Sequence, residues 1–183
     1  MLRPSAALSS VKVVVSGGFG TGKTTFIGSI SEIETMGTEA SLAGSDTGFM
    51  PTTFDATVPV DFGRVTLDSS LVLYLFGMPD HDGFTYVWDD LTHGAIGAVV
   101  LIDTRRIRDC IPTIEYFEKR SIPFLLGVNR FPGTHRMGID EVRAAVAVRD
   151  DVPVVECDAR QRDSVKGALL TLLDCVLSTR AGR

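Results

Sequence analysis

The run Gly17-Gly18-Phe19-Gly20-Thr21-Gly22-Lys23-Thr24 lies between an apolar stretch at 11–16 and a helix-patterned segment at 23–31. Glycines let the backbone turn tightly enough for successive N–H groups to converge on anionic oxygens, and the helix that follows adds its N-terminal dipole. The run fits the phosphate-binding loop pattern at every position, in the strand–loop–helix setting that the motif requires. Lys23 is then expected on the β- and γ-phosphates and the Thr24 hydroxyl on Mg²⁺, with Thr25 and its backbone at the α-phosphate.

Such a loop demands a parallel sheet behind it, and the rest of the chain supplies one. Short runs at 11–16, 71–76, 95–102, 122–128 and 152–157 are apolar on both parities, as strands buried on both faces are. Val58, Val60 and Phe62 instead alternate with polar or small residues, and Leu67-Asp68-Ser69-Ser70 separates them from Leu71, which predicts an antiparallel edge hairpin. Helices are expected at 23–31, 86–93, 112–120, 140–148 and 164–177. Six strands and five helices alternate along the chain, so the predicted fold is α/β with helices on both faces of a mostly parallel sheet. Residues 36–57 carry Gly, Ser, Thr and Pro without a period, a loop long enough to suggest a ligand-responsive role.

The 183 residues suit one domain, and a net charge of −5 argues against a broad cationic surface for nucleic acid or anionic lipid. Cys110, Cys157 and Cys175 are odd in number and widely spaced, so buried thiols in a reducing cytoplasm are expected rather than disulfides or a zinc site. No secretory or membrane-spanning run is found, Leu2 rules out myristoylation, and the last six residues hold no Cys. The expected location is the cytoplasm, with any membrane recruitment left to a partner.

Beyond the loop, the chain resembles the Ras-like small GTPases, most closely the actinobacterial branch encoded beside roadblock-domain proteins in conservons, related to the gliding-motility switch MglA. The resemblance runs through Ser16 to Thr25, Val60-Asp61-Phe62-Gly63-Arg64, Leu73-Tyr74-Leu75-Phe76-Gly77, Trp88-Asp89-Asp90-Leu91, Ile102-Asp103-Thr104-Arg105-Arg106, Val128-Asn129-Arg130-Phe131 and Cys157-Asp158-Ala159-Arg160. It implies a Ras-like G domain over 11–178, flanked by flexible ends at 1–10 and 179–183, that binds GTP or GDP with Mg²⁺. It further implies that Asn129 supports the base site, that Arg130 stacks along the base, and that the Ala159 backbone meets the guanine carbonyl. The implied partners are a roadblock-domain protein and a sensor-kinase-like protein. A pentapeptide-repeat protein, the partner in a mycobacterial branch, is the less favoured alternative.

Departures from the pattern carry as much information. Three residues after Asn129, where Ras-like proteins place an Asp that accepts two guanine hydrogen bonds, stands Pro132. At about 1.5 kcal/mol per bond, the preference for guanine should fall roughly a hundred-fold. In the second switch, Gly77 replaces the Mg²⁺-supporting Asp and Asp80 replaces a Gly that offers its N–H to the γ-phosphate. A carboxylate about 4 Å from a phosphate charge costs on the order of 4 kcal/mol at near-surface dielectric, so diphosphate is expected to bind better than triphosphate. His81 stands where a Gln orients the attacking water; it can align water or be a solvated loop residue. Thr53 and Thr57 both have spacing suited to a first-switch Mg²⁺ contact, and Thr52 is a weaker candidate.

Three functions fit these residues: a nucleotide switch with slow intrinsic hydrolysis, a degenerate GTPase-like interaction module, and a small phosphate-loop kinase. A kinase needs basic clamps on the transferred group. The basic cluster Arg105, Arg106 and Arg108 is more simply expected as a solvated helix start.

Overall fold

Val13, Val14 and Val15 have no exposed surface. A strand buried on both parities must lie inside a sheet with both faces covered. In the computed structural model, which describes residues 9–34, 36–37, 60–79, 81–133 and 136–181 (side chains of 36–37, 81–86 and 180–181 excepted), these valines lie on the central strand β1, Ser9–Gly17. The further strands are β2 Met36–Gly37, β3 Asp61–Thr66, β4 Leu71–Gly77, β5 Ala95–Ile102, β6 Phe124–Asn129 and β7 Val154–Cys157. The helices are α1 Lys23–Ile30, α2 His81–Thr92, α3 Ile111–Lys119, α4 Ile139–Val146 and α5 Arg162–Ala181, with a 3-10 segment at Thr104–Cys110.

The sheet order is β2-β3-β4-β1-β5-β6-β7. Pairs among β4, β1, β5, β6 and β7 are parallel, while β3 runs antiparallel to β4 and β2 antiparallel to β3. The six expected strands and the edge hairpin are present, and the two-residue β2 extends the sheet by one short strand. At the hairpin turn, Asp68 accepts from the Ser70 N–H and hydroxyl at 2.6 and 2.7 Å, closing the β3–β4 connection.

Alternate parities of the strands feed two cores. Val14, Phe76, Val100, Leu126 and Val128 pack with Trp88 and Leu91 of α2, Ile114 and Phe117 of α3, and Val142 of α4. Val13, Val15, Leu73, Leu75 and Leu101 pack with Phe26 and Ile27 of α1 and with Val165, Leu169 and Leu172 of α5. Of the thiols, Cys110 and Cys157 are buried in these cores and Cys175 is half-buried on α5.

Several boundaries moved for identifiable reasons. Strands expected from 122 and 152 begin at Phe124 and Val154, just after Pro123 and Pro153, which have no N–H for a ladder. Helix α2 begins five residues before the expected 86, and the Trp88 indole donates to the Pro79 carbonyl at 3.3 Å to pin that start. Helix α5 continues four residues past the expected 177, and β1 begins two residues before the expected 11. The 3-10 segment was not anticipated; buried Asp103 caps it by accepting from the Arg105 N–H at 3.0 Å. Among the described residues, no helix is long and apolar enough to cross a membrane.

Candidate functional site

The C-terminal ends of β1, β6 and β7 deliver Gly17, Asn129 and Cys157 to one edge of the sheet, where ligands bind in open α/β folds. Between β1 and α1 the glycine-rich run forms the expected loop. Gly22 has φ +100°, and a Cβ there would come within 2.6 Å of Asn129 Nδ2. Glycine is therefore needed for both its conformation and its lack of a side chain.

Buried Asn129 ties the loop to the far side of the site. Its Nδ2 donates to the Thr21 carbonyl at 2.8 Å and its Oδ1 accepts from the Ala159 N–H at 3.0 Å. Thr21 is itself buried and turned inward, its hydroxyl donating to the Gly18 carbonyl at 2.9 Å. Lys23 Nζ reaches back over the loop and donates to the carbonyls of Gly17 and Gly18, each at 3.0 Å. Thr24 and Thr25 are exposed at the start of α1, and Phe19 stands 73% exposed at the loop tip.

Asp61, which sequence reasoning gave no role, completes the site. The Thr24 hydroxyl donates to Asp61 Oδ2 at 2.6 Å. Asp61 opens β3, whereas the carboxylate of the Ras-like pattern comes from the end of the next strand, where this chain has Gly77. A Cβ on Gly77 would lie 3.0 Å from Asp61 Cβ and 3.3 Å from its Oδ2. The carboxylate of one strand thus occupies the space that a side chain on the neighbouring strand would need. The available signal was the paired appearance of Asp61 and Gly77 at strand ends that a hairpin brings side by side.

On the base side, the guanidinium of Arg130 is engaged by the protein's own groups. It donates to the Met137 carbonyl at 3.3 Å and pairs with Glu156, whose carboxyl it holds below the usual range, while the buried Nε of Arg130 has no hydrogen-bond partner among the described residues. Pro132 is exposed. Asp158 accepts from Arg160 Nη2 at 2.7 Å, which holds its carboxyl down at about 2.

The basic cluster is not a solvated helix start throughout. Arg105 forks onto buried Asp103, at 2.6 Å for the shortest contact, and lies 4.4 Å over the Phe131 ring. That guanidinium holds the Asp103 carboxyl below its ordinary range. Arg106 reaches the phosphate loop, donating to the Phe19 carbonyl; of the three, Arg108 fits the solvated expectation. Thr52, Thr53, Thr57 and Asp80 lie outside the described residues, and of His81 only its place as the first residue of α2 is described.

Strand order, the loop, and the Asn129 tie together define a Ras-like phosphate-loop domain. Its fold is similar to that of the Arl6 small GTPase of Trypanosoma brucei, solved with the nucleotide analogue GppNp bound: TM-score 0.66 and 15% identity, over 93% of this chain and 99% of that one. Residues 45–179 match a family described as conserved hypothetical ATP-binding protein, and the chain belongs to that family. The matched span begins after the phosphate loop. A search of curated proteins finds no match.

Proposed function

We propose that this chain is a nucleotide-operated switch, which binds a nucleoside di- or triphosphate with Mg²⁺ and signals its phosphate state to a protein partner. The observation that carries the reading is the 2.6 Å pairing of Thr24 with Asp61 at the mouth of a loop already gathered around Lys23. Those two side chains present hard oxygens side by side, a donor set suited to Mg²⁺. Thr24 would hold the ion directly, with Asp61 as its anionic support. An ion held there would offset the charge of the bound phosphates. Lys23 neutralises phosphate charge from the other side of the loop.

Base selection is proposed to be loose. The matching family is described as ATP-binding and the structural relative as a GTPase. In this chain the Pro132 side chain has no acceptor for the guanine edge, and the Ala159 N–H is committed to Asn129. Asp80 favours the diphosphate, and hydrolysis is proposed to be slow without a partner, with His81 as the candidate for orienting water. From the family resemblance, that partner is a roadblock-domain protein acting with a sensor-kinase-like protein in the cytoplasm, and membrane recruitment would run through it. A pentapeptide-repeat partner is less favoured. A kinase is disfavoured because Arg105 and Arg106 are engaged by the protein itself.

The test is to purify the chain without added nucleotide, identify any retained base and phosphate count by chromatography, and titrate GDP and ADP calorimetrically into wild type and Lys23→Ala. Retained or titratable nucleotide that Lys23→Ala abolishes is the expected result. A wild type that binds neither nucleotide, or a variant that binds as well, refutes the proposal.

A further inference from the structure

Arg106 breaks the helical path of its own segment, with φ −137° and ψ 47° inside Thr104–Cys110. Its guanidinium lies against the tip of the phosphate loop. Nη2 donates to the Phe19 carbonyl and sits 3.5 Å from where a Cβ on Gly20 would be. Asp109, one 3-10 turn later, pairs with Arg106 Nε at 3.5 Å. The Asp109 Cβ lies 2.7 Å from the position of a Cβ on Gly18, an approach that only glycine allows. One turn of the chain after β5 thus touches the loop at two successive residues, Gly18 and Phe19.

We infer that Arg106 is a positioning residue for the nucleotide: it fixes the orientation of the Phe19–Gly20 peptide so that the Gly20 N–H faces the phosphates, and Asp109 orients Arg106. The inference rests on the reading of the loop as a nucleotide site. No cis peptide occurs among the described residues, and a trans peptide points its C=O and N–H in opposite directions. A Phe19 carbonyl held by Arg106 therefore leaves the Gly20 N–H on the side away from Arg106. In a phosphate loop, that is the side where the backbone amides meet the anion.

The loop tip needs such a restraint. Gly20, at φ +71°, puts little steric resistance in the way of a peptide flip. Phe19, 73% exposed, contributes little packing to oppose one. Lys23 grips the carbonyls of Gly17 and Gly18, and Arg106 extends the same kind of grip to the third carbonyl in the row. A charge-assisted donor on an amide oxygen is a strong restraint. It also polarises the peptide, making the N–H at its other end a better donor to phosphate.

The test compares wild type with Arg106→Ala, Arg106→Lys and Asp109→Asn. In the protein loaded with Mg²⁺ and GDP, where the phosphates cover the Gly20 N–H, Arg106→Ala should speed amide exchange at Gly20 at least tenfold while exchange in the β1 core stays unchanged. Asp109→Asn should do the same to a smaller degree, and Arg106→Lys should restore most of the protection. With Mg²⁺ and GDP or ADP, Arg106→Ala should lower affinity about tenfold and move the ³¹P resonance of the β-phosphate, again with partial rescue by Lys. Exchange at Gly20 and a β-phosphate resonance that both stay at wild-type values in Arg106→Ala would overturn the inference. Should Arg106→Ala fail to fold, the same null result in Asp109→Asn overturns it. A wild type that binds neither nucleotide refutes the nucleotide reading instead, and the two failures are thereby told apart.

Discussion

Replacing Asp61 by Ala removes the carboxylate 2.6 Å from the Thr24 hydroxyl and empties the space beside Gly77. A hydrogen bond to a charged group is worth about 1.5–3 kcal/mol, and because Thr24 is exposed the lower end applies. Affinity for the Mg²⁺ complex of GDP should therefore fall about tenfold. Affinity measured in EDTA should change much less, since the carboxylate acts through the ion. The reverse substitution, Gly77→Asp, should be harmful for a different reason. Its Cβ would stand 3.0 Å from that of Asp61, and two carboxylates about 4 Å apart repel by on the order of 4 kcal/mol at near-surface dielectric.

Combining the two changes should relieve that conflict, because the double variant has one carboxylate again, now at the end of β4. The two positions should be coupled by more than about 1 kcal/mol, with the double variant more stable and a better Mg²⁺–GDP binder than Gly77→Asp alone. Calorimetric titrations with and without Mg²⁺, together with denaturant melts of all four proteins, measure the cycle. If Asp61→Ala keeps the wild-type Mg²⁺ dependence, or if the two substitutions add without coupling, the carboxylate has not moved from one strand to its neighbour and the argument fails.

Pro132→Asp should sharpen the preference for GDP over ADP by at least tenfold in competition titrations, because it restores an acceptor for the guanine edge; no change would mean that another residue reads the base. Asn129→Ala should destabilise the protein by about 2–4 kcal/mol in denaturant melts, since it orphans the buried Thr21 carbonyl and Ala159 N–H together. Acid stability should carry the mark of Asp158, whose carboxyl is lowered from 3.8 to about 2, chiefly by its hydrogen bond from Arg160. A depressed carboxyl contributes its stabilisation above its unfolded value and loses it as pH falls toward the folded one, so melts between pH 4 and pH 2 should be steeper in pH for wild type than for Asp158→Asn. Equal slopes would show that the pair adds nothing.

Short-range chemistry was readable from the sequence, and pairwise geometry between strands was not. The loop at 17–24 announced itself because every one of its constraints is local: glycines for the turn, Lys and Thr at fixed offsets, a strand before and a helix after. The parallel strands were readable because burial on both faces leaves no polar parity. Asp61 escaped notice because it is unremarkable alone, and Gly77 read only as a lost carboxylate; their joint meaning lies in the β3–β4 hairpin that sets one beside the other. Arg106 escaped for a related reason: a helix-start arginine faces solvent unless its backbone leaves the helical path, and that break at φ −137° has no signature in the residue types around it. Both missed residues approach the phosphate loop from elements that follow it in the chain, Asp61 toward Thr24 and Arg106 toward Phe19. A motif fixes what the loop can bind, and the charged residues brought to its two ends by the fold determine how firmly the loop is held to do so.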